Sequence, residues 1–174
     1  MRAIRRPWAG GVALRFAGPA DLPELVRLEE TVFASDPHRF SRRQWRRLIR
    51  ERPEHLVVAA RGERLLGALV LSRRGDGETL RVISLGVDPA ARGEGIGRAL
   101  LDHALEHAGR LGLARIRLEV RRDNEAAIQL YLRAGFREVQ RLPSYYGLGE
   151  DGLRMERAMA AGGTGDSGGG GEPG

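Results

Sequence analysis

The chain has 174 residues, 41% of them hydrophobic, which suits one domain around one core and is tight for two. Its formal net charge is +6 and all 29 basic residues are Arg; the absence of Cys excludes disulfides, a thiol nucleophile and Cys-based metal sites. No apolar run approaches the roughly 20 residues that span a bilayer, and residues 1–10 carry Arg without the apolar stretch of a secretory signal, so a cytoplasmic protein is expected.

Residues 1–11 read as a flexible basic lead-in, 12–160 as the folded domain, and 161–174 as a Gly-rich tail with too little apolar surface to offset its ordering entropy. A first strand is predicted over 12–17. Asp21 and Glu24 have capping-box spacing and open a helix whose Leu25, Leu28, Glu29 and Val32 recur at helical period. Ser41 and Gln44 repeat the capping spacing. The helix they open ends before Pro53, because the residue preceding Pro avoids the helical region. Trp45, Leu48 and Ile49 give that helix an apolar face, and Arg42, Arg43, Arg46, Arg47 and Arg50 a basic one. Strands follow over 56–60, 65–71 and 80–87, separated by turns at 61–64 and 75–77, which implies an antiparallel meander. The pattern then changes to a helix over 95–111, a strand over 116–120 and a helix over 124–134 with Gly135 at its C-terminal cap. Strands at 136–140 and 153–159 close an α+β (mixed α/β) domain. His103 and His107 stand i,i+4 and read as a solvated helix face. The four His make no zinc pattern, so no metal is expected.

The chemistry concentrates at 87–98, where a strand runs through a Gly-rich loop into a helix. Gly93, Gly95 and Gly97 allow close approach of the backbone, and the first turn of a helix leaves N–H groups free to hold a pyrophosphate. A P-loop is excluded because it needs Lys. A dinucleotide fingerprint is excluded by the Gly spacing and the preceding meander.

The run Arg92-Gly93-Glu94-Gly95-Ile96-Gly97, preceded by Val87-Asp88-Pro89 and followed by Arg98, resembles the Arg/Gln-x-x-Gly-x-Gly/Ala signature of the GNAT acetyltransferases. A second run, from Leu118-Glu119-Val120 through Asn124 and Leu130-Tyr131 to Gly135-Phe136, is similar to the bacterial ribosomal-protein N-terminal alanine acetyltransferases, as is the Tyr145-Tyr146 pair. The resemblance covers about residues 12–160. It implies a central, mostly antiparallel, twisted sheet of six to seven strands flanked by about four helices, with acetyl-CoA as donor. It also implies Glu119 as general base, Tyr131 as general acid and Asn124 as a cofactor contact. A strand bulge offering N–H groups is implied at Leu85, Gly86 and Val87, with Gly86 easing the distortion.

The reaction asks for such groups on its own account. An amine must lose a proton to attack a thioester, and a departing thiolate gains from a donor. Other readings stand beside these: an Arg ion pair for Glu119, a core aromatic for Tyr131, helix capping for Asn124, and for the basic helix a solvated face or a dock for an acidic partner or ribosomal RNA. The acceptor implied is a protein or peptide N-terminus, the alternative a small amine such as a polyamine, amino acid or antibiotic. Intact base and acid positions argue against a non-catalytic acyl-CoA sensor or a nucleic-acid-binding module. No membrane partner is expected, and a monomer or homodimer is.

Overall fold

A computed structural model describes residues 10–73, 75 and 77–160. The expectations for the basic lead-in before residue 10 and for the Gly-rich tail lie outside these residues, and the 75–77 turn lies partly outside them. The described chain forms one seven-stranded sheet with four α-helices, in the order β1 (Ala13–Phe16), α1 (Leu22–Val32), α2 (Arg42–Glu51), β2 (Leu56–Arg61), β3 (Arg64–Arg73), β4 (Thr79–Val87), α3 (Ile96–Arg110), β5 (Arg115–Arg121), α4 (Glu125–Arg133), β6 (Arg137–Gly147) and β7 (Glu150–Ala158). Spatial order is β1-β2-β3-β4-β5-β7-β6. Neighbours are antiparallel except β4 and β5, which run parallel and pair only from Thr79 with Arg115 to Val82 with Leu118. The expected mixed fold is therefore present.

Both faces of the sheet are covered. Leu100, Leu101 and Ala104 of α3 and Tyr131 of α4 pack on Leu80, Val82, Ile116, Leu118 and Met155. Leu25 and Leu28 of α1 with Trp45 and Ile49 of α2 pack on Leu56, Val58, Ala68 and Val70 of the opposite face. Alternation along β5 follows: Ile116, Leu118 and Val120 sink under α3 and α4, while Arg117, Glu119 and Arg121 turn to the other side.

Local signals mostly hold. Ser41 and Gln44 form the expected capping box, and α2 stops before Pro53. The Asp21–Glu24 box does not form. Asp21 instead accepts both Nη1 and Nη2 of Arg15 at 2.7 Å and the Gly18 N–H at 2.8 Å, closing the 3-10 turn ahead of α1. Glu24 turns to Arg27 and the Leu65 N–H. His103 is 1% exposed, stacked on His107 and edge-on to Phe16, so the solvated-face reading of this pair is corrected. β6 runs seven residues past its expected end at 140, through Pro143 and a Ser144 with φ 51, because an edge strand tolerates the bulges and the missing N–H that a central strand does not.

Glu29 ties the α1–α2 loop to α1. It is buried, and its Oε1 accepts the Phe40 N–H at 2.6 Å. Burial pushes this carboxyl up to about 6; Asp36 adds to the rise, while the Phe40 N–H and Arg39 oppose it. Below the usual carboxylate range the folded and unfolded chains both hold the proton. Between there and about 6 only the folded chain does, so this group's contribution is lost as pH rises. Glu29→Gln removes the titration. Its stability relative to the unsubstituted chain, from urea unfolding, should rise by about 2 kcal/mol between pH 4 and pH 7.5; an equal difference at both pH values would show that Glu29 does not titrate on folding.

Candidate active site

The loss of β4–β5 pairing after Val82 and Leu118 opens a fork in the sheet. A register shift against β3 falls between Val82 and Ser84, so the bulge is at Ile83 and not at Leu85, Gly86 and Val87 as expected. Beyond it the β3 ladder is regular, and Asp88 N–H donates to the Leu66 carbonyl at 2.8 Å. Bonded pairs alternate along an antiparallel ladder. Ser84 and Gly86 therefore turn their backbone groups to β3, and Leu85 and Val87 turn theirs into the fork. Gly86 has another role: a Cβ there would lie 3.1 Å from Phe33 and 3.2 Å from Val32, so glycine lets the end of α1 close on β4.

At the end of β4 Asp88 is fixed before the loop begins. It accepts from the Ala90 N–H, from Arg27 at 3.1 Å and from Arg64 at 3.0 Å, and these bonds outweigh its burial to hold the carboxyl below its ordinary value. The chain then passes Gly93 at φ +84 and Gly95 at φ +79, and a Cβ at either would meet nothing within 4 Å. Gly95 caps α3 in the left-handed conformation, leaving the N–H groups of its first turn facing outward. This open, amide-lined and positively polarised helix start fits a pyrophosphate. The loop side chains divide. Arg98 pairs with Asp102 at 2.9 Å and Glu94 turns to Arg61, whereas Arg92 makes no ion pair among the described residues. Ile96 is buried under the sheet. A Cβ at Gly97 would point at Leu130 of α4 and Val87, at the ordinary contact distances of 3.4 and 3.5 Å.

Glu119 stands one residue beyond the last β4-paired position of β5. Its side chain is 9% exposed, with Oε2 accepting from Arg81 Nη2 and Oε1 from Arg154 Nε, each at 3.1 Å. The ion-pair reading of this residue is realised. A carboxylate has about four lone-pair sites, so two remain for a substrate. Asn124 caps α4, its Oδ1 accepting the Ala127 N–H at 3.1 Å, and the cap engages only the carbonyl end of its amide. Tyr131, two turns along α4, is 6% exposed and packs on Phe136; burial pushes its hydroxyl up to about 12. The core reading of Tyr131 is therefore realised too.

Tyr146 of β6 joins these groups. Burial pushes its phenol above the ordinary value, and Tyr145, Glu119, Tyr131 and Asp36 add to the shift, so one hydroxyl lies within electrostatic reach of β5, α4 and the α1–α2 loop. Arg121 lies over its ring at 5.3 Å. The sequence pointed to this tyrosine only through a motif, and Arg81 and Arg154 were not singled out, because their roles depend on strands distant in the chain. Arg42, Arg43 and Arg46 of α2 are exposed and make no ion pair among the described residues, while Arg47 and Arg50 share Glu51. No cluster that could hold a metal occurs among the described residues, and no helix there is long and apolar enough to cross a membrane.

A parallel strand pair opened into a fork, with a glycine loop and helix start at its mouth, defines a class of fold with an amide-lined slot that suits a pyrophosphate-bearing ligand. The model of the acetyltransferase (GNAT) family matches residues 21–136, and the chain belongs to that family. Acetyltransferases of this family use acetyl-CoA. The chain is 37% identical over 145 residues to the N-alpha-acetyltransferase RimI of Mycobacterium tuberculosis, covering 79% of this chain and 87% of that protein. It is 37% identical over 137 residues to the mycothiol acetyltransferase of Geodermatophilus obscurus, covering 72% of this chain but only 44% of that longer protein. Among solved structures, Ard1 from Thermoplasma volcanium superposes with a TM-score of 0.76 at 29% identity, over 86% of this chain and 98% of that one.

The two glycines should respond differently to substitution. Gly95→Val forces a left-handed conformation that costs about 1–2 kcal/mol and fills the ligand side, so acetyl-CoA affinity measured by calorimetry should fall at least tenfold with the fold intact. Gly97→Ala should stay near the unsubstituted affinity, since a methyl there meets only ordinary contacts. Unchanged affinity in Gly95→Val would remove the loop from the binding site.

Proposed function

We propose that this chain is an acetyl-CoA-dependent N-acetyltransferase whose acceptor is the N-terminal α-amine of a protein, such as a ribosomal protein. The observation that carries the reading is Glu119 at the mouth of the fork, one residue past the last β4-paired position of β5, with the Tyr146 phenol within electrostatic reach of both Glu119 and Tyr131. The likeness to RimI, whose name is that of an N-alpha-acetyltransferase, supports the choice of acceptor.

In this reading the thioester lies along the fork, with Leu85 or Val87 N–H donating to its carbonyl oxygen as negative charge develops there. The acceptor amine enters on the Glu119 side, between the α1–α2 loop and the β6–β7 hairpin. As the N–C bond forms, a free lone pair of Glu119 takes the amine proton. The C–S bond then breaks, and the sulfur leaves against the Tyr131 hydroxyl. Burial raises the Tyr131 hydroxyl above the ordinary acidity of a thiol. Tyr131 therefore assists departure by hydrogen-bonding the sulfur and keeps its own proton. The proton taken from the amine balances the thiolate at the end of the cycle.

A small amine is the second reading, favoured by the 37% identity to the mycothiol acetyltransferase. Acetyl-CoA consumption with a panel of N-terminal peptides and small amines, products identified by mass spectrometry, separates the two: peptides are expected to react with the higher kcat/KM, and turnover confined to small amines would overturn the first. Within the mechanism, Glu119→Gln should lower single-turnover transfer by roughly 10²–10⁴ at pH 7, less as pH rises and free amine accumulates. Tyr131→Phe should cost about 10- to 100-fold, the worth of a hydrogen bond to a charged group. Neither should weaken acetyl-CoA binding. An unimpaired Glu119→Gln enzyme at pH 7 would take the base role from this residue.

A further inference from the structure

Glu119 belongs to a chain of charges that crosses three strands at the vertex of the fork. Arg154 faces it directly across the β5–β7 ladder and is itself held by Gln140 Oε1 at 2.6 Å. Arg81 reaches it from β4, two residues before the bulge at Ile83. The Arg81–Glu119 bond therefore bridges β4 and β5 at the point where their backbone pairing ends. Arg81 gives up a contact to do so: its Nε is buried and has no hydrogen-bond partner among the described residues. A buried donor left in this way costs about 1–3 kcal/mol.

We infer that Arg81 and Arg154 are positioning residues for the transfer reaction. They hold the Glu119 carboxylate in one orientation at the vertex, so that a free lone pair faces the arriving amine. The inference rests on the proposed role of Glu119 as proton acceptor and adds what sets its direction. Each guanidinium engages one oxygen, so the carboxyl plane is fixed by two donors from opposite sides. The arrangement uses Arg for its planar fork of donors; Lys would supply the charge without the direction.

The test measures kcat and KM for a peptide acceptor at saturating acetyl-CoA in Arg81→Gln, Arg154→Gln, Arg81→Lys, Arg154→Lys and Glu119→Gln, with thermal melts to confirm folding. In either Gln variant kcat should fall at least tenfold while acetyl-CoA affinity stays within twofold. The Lys variants, which also serve if a Gln variant fails to fold, should still lose kcat through lost orientation. In a Glu119→Gln background, Arg154→Gln should cause no further loss. Folded Arg variants with wild-type kcat, or a further loss from Arg154→Gln in the Glu119→Gln background, would overturn the positioning role while leaving Glu119 as the base. A Glu119→Gln enzyme with the wild-type rate would instead overturn the base reading itself.

Discussion

Everything in this site depends on the place where β4 and β5 stop pairing. Four parallel pairs, from Thr79–Arg115 to Val82–Leu118, bind the two halves of the sheet, and then the strands part. Backbone N–H and C=O groups are strong donors and acceptors that a buried environment does not leave unmet without cost. Opening a sheet at its centre therefore creates a strip of backbone that a ligand must satisfy. The bulge at Ile83 sets which residues supply it: one extra residue shifts the alternation so that Leu85 and Val87 face the opening.

The walls of the fork are held from both faces. On one side the end of α1 closes on Gly86, and Arg27 of the same helix reaches Asp88 at the root of the loop, so α1 touches β4 where the fork runs and where it ends. On the other side Ile96 sinks the first turn of α3 into the core under the sheet. The loop is thus pinned at Asp88 and again at Ile96. Only Gly93 and Gly95 between those anchors adopt left-handed backbone with open space beside them. A stiff frame with two permissive positions suits a phosphate cradle, because the amides are already aimed before the ligand arrives.

How much of this was legible follows the range of each interaction. Signals that act within one turn were readable: the Ser41–Gln44 box, the stop before Pro53, Asn124 at the head of α4 and Gly135 at φ +86 beyond its end. The Gly-rich loop was readable because its conformation is local. What failed was set by partners distant in the chain. Asp21 has the spacing of a cap, but a buried Arg15 six residues earlier takes its carboxylate. Gly86 was read as easing a bulge, and it lets the end of α1 close on β4. His103 looked solvated from an i,i+4 pattern that cannot see β1 arriving with Phe16. The clamp on Glu119 joins residues 38 and 35 positions away, and in a chain whose cations are all Arg no spacing singles out Arg81 and Arg154.

The central claim is that the free backbone edge of β4 is the acetyl-CoA seat. Amide hydrogen exchange resolved to single residues by NMR reads it directly. Without acetyl-CoA, Leu85 and Val87 N–H should exchange much faster than Ser84 and Gly86 N–H, which are bonded to β3. With saturating acetyl-CoA, the Leu85 and Val87 amides should become protected while the other two barely change. Equal protection at all four positions in the free protein, or no gain at Leu85 and Val87 on binding, would contradict the account.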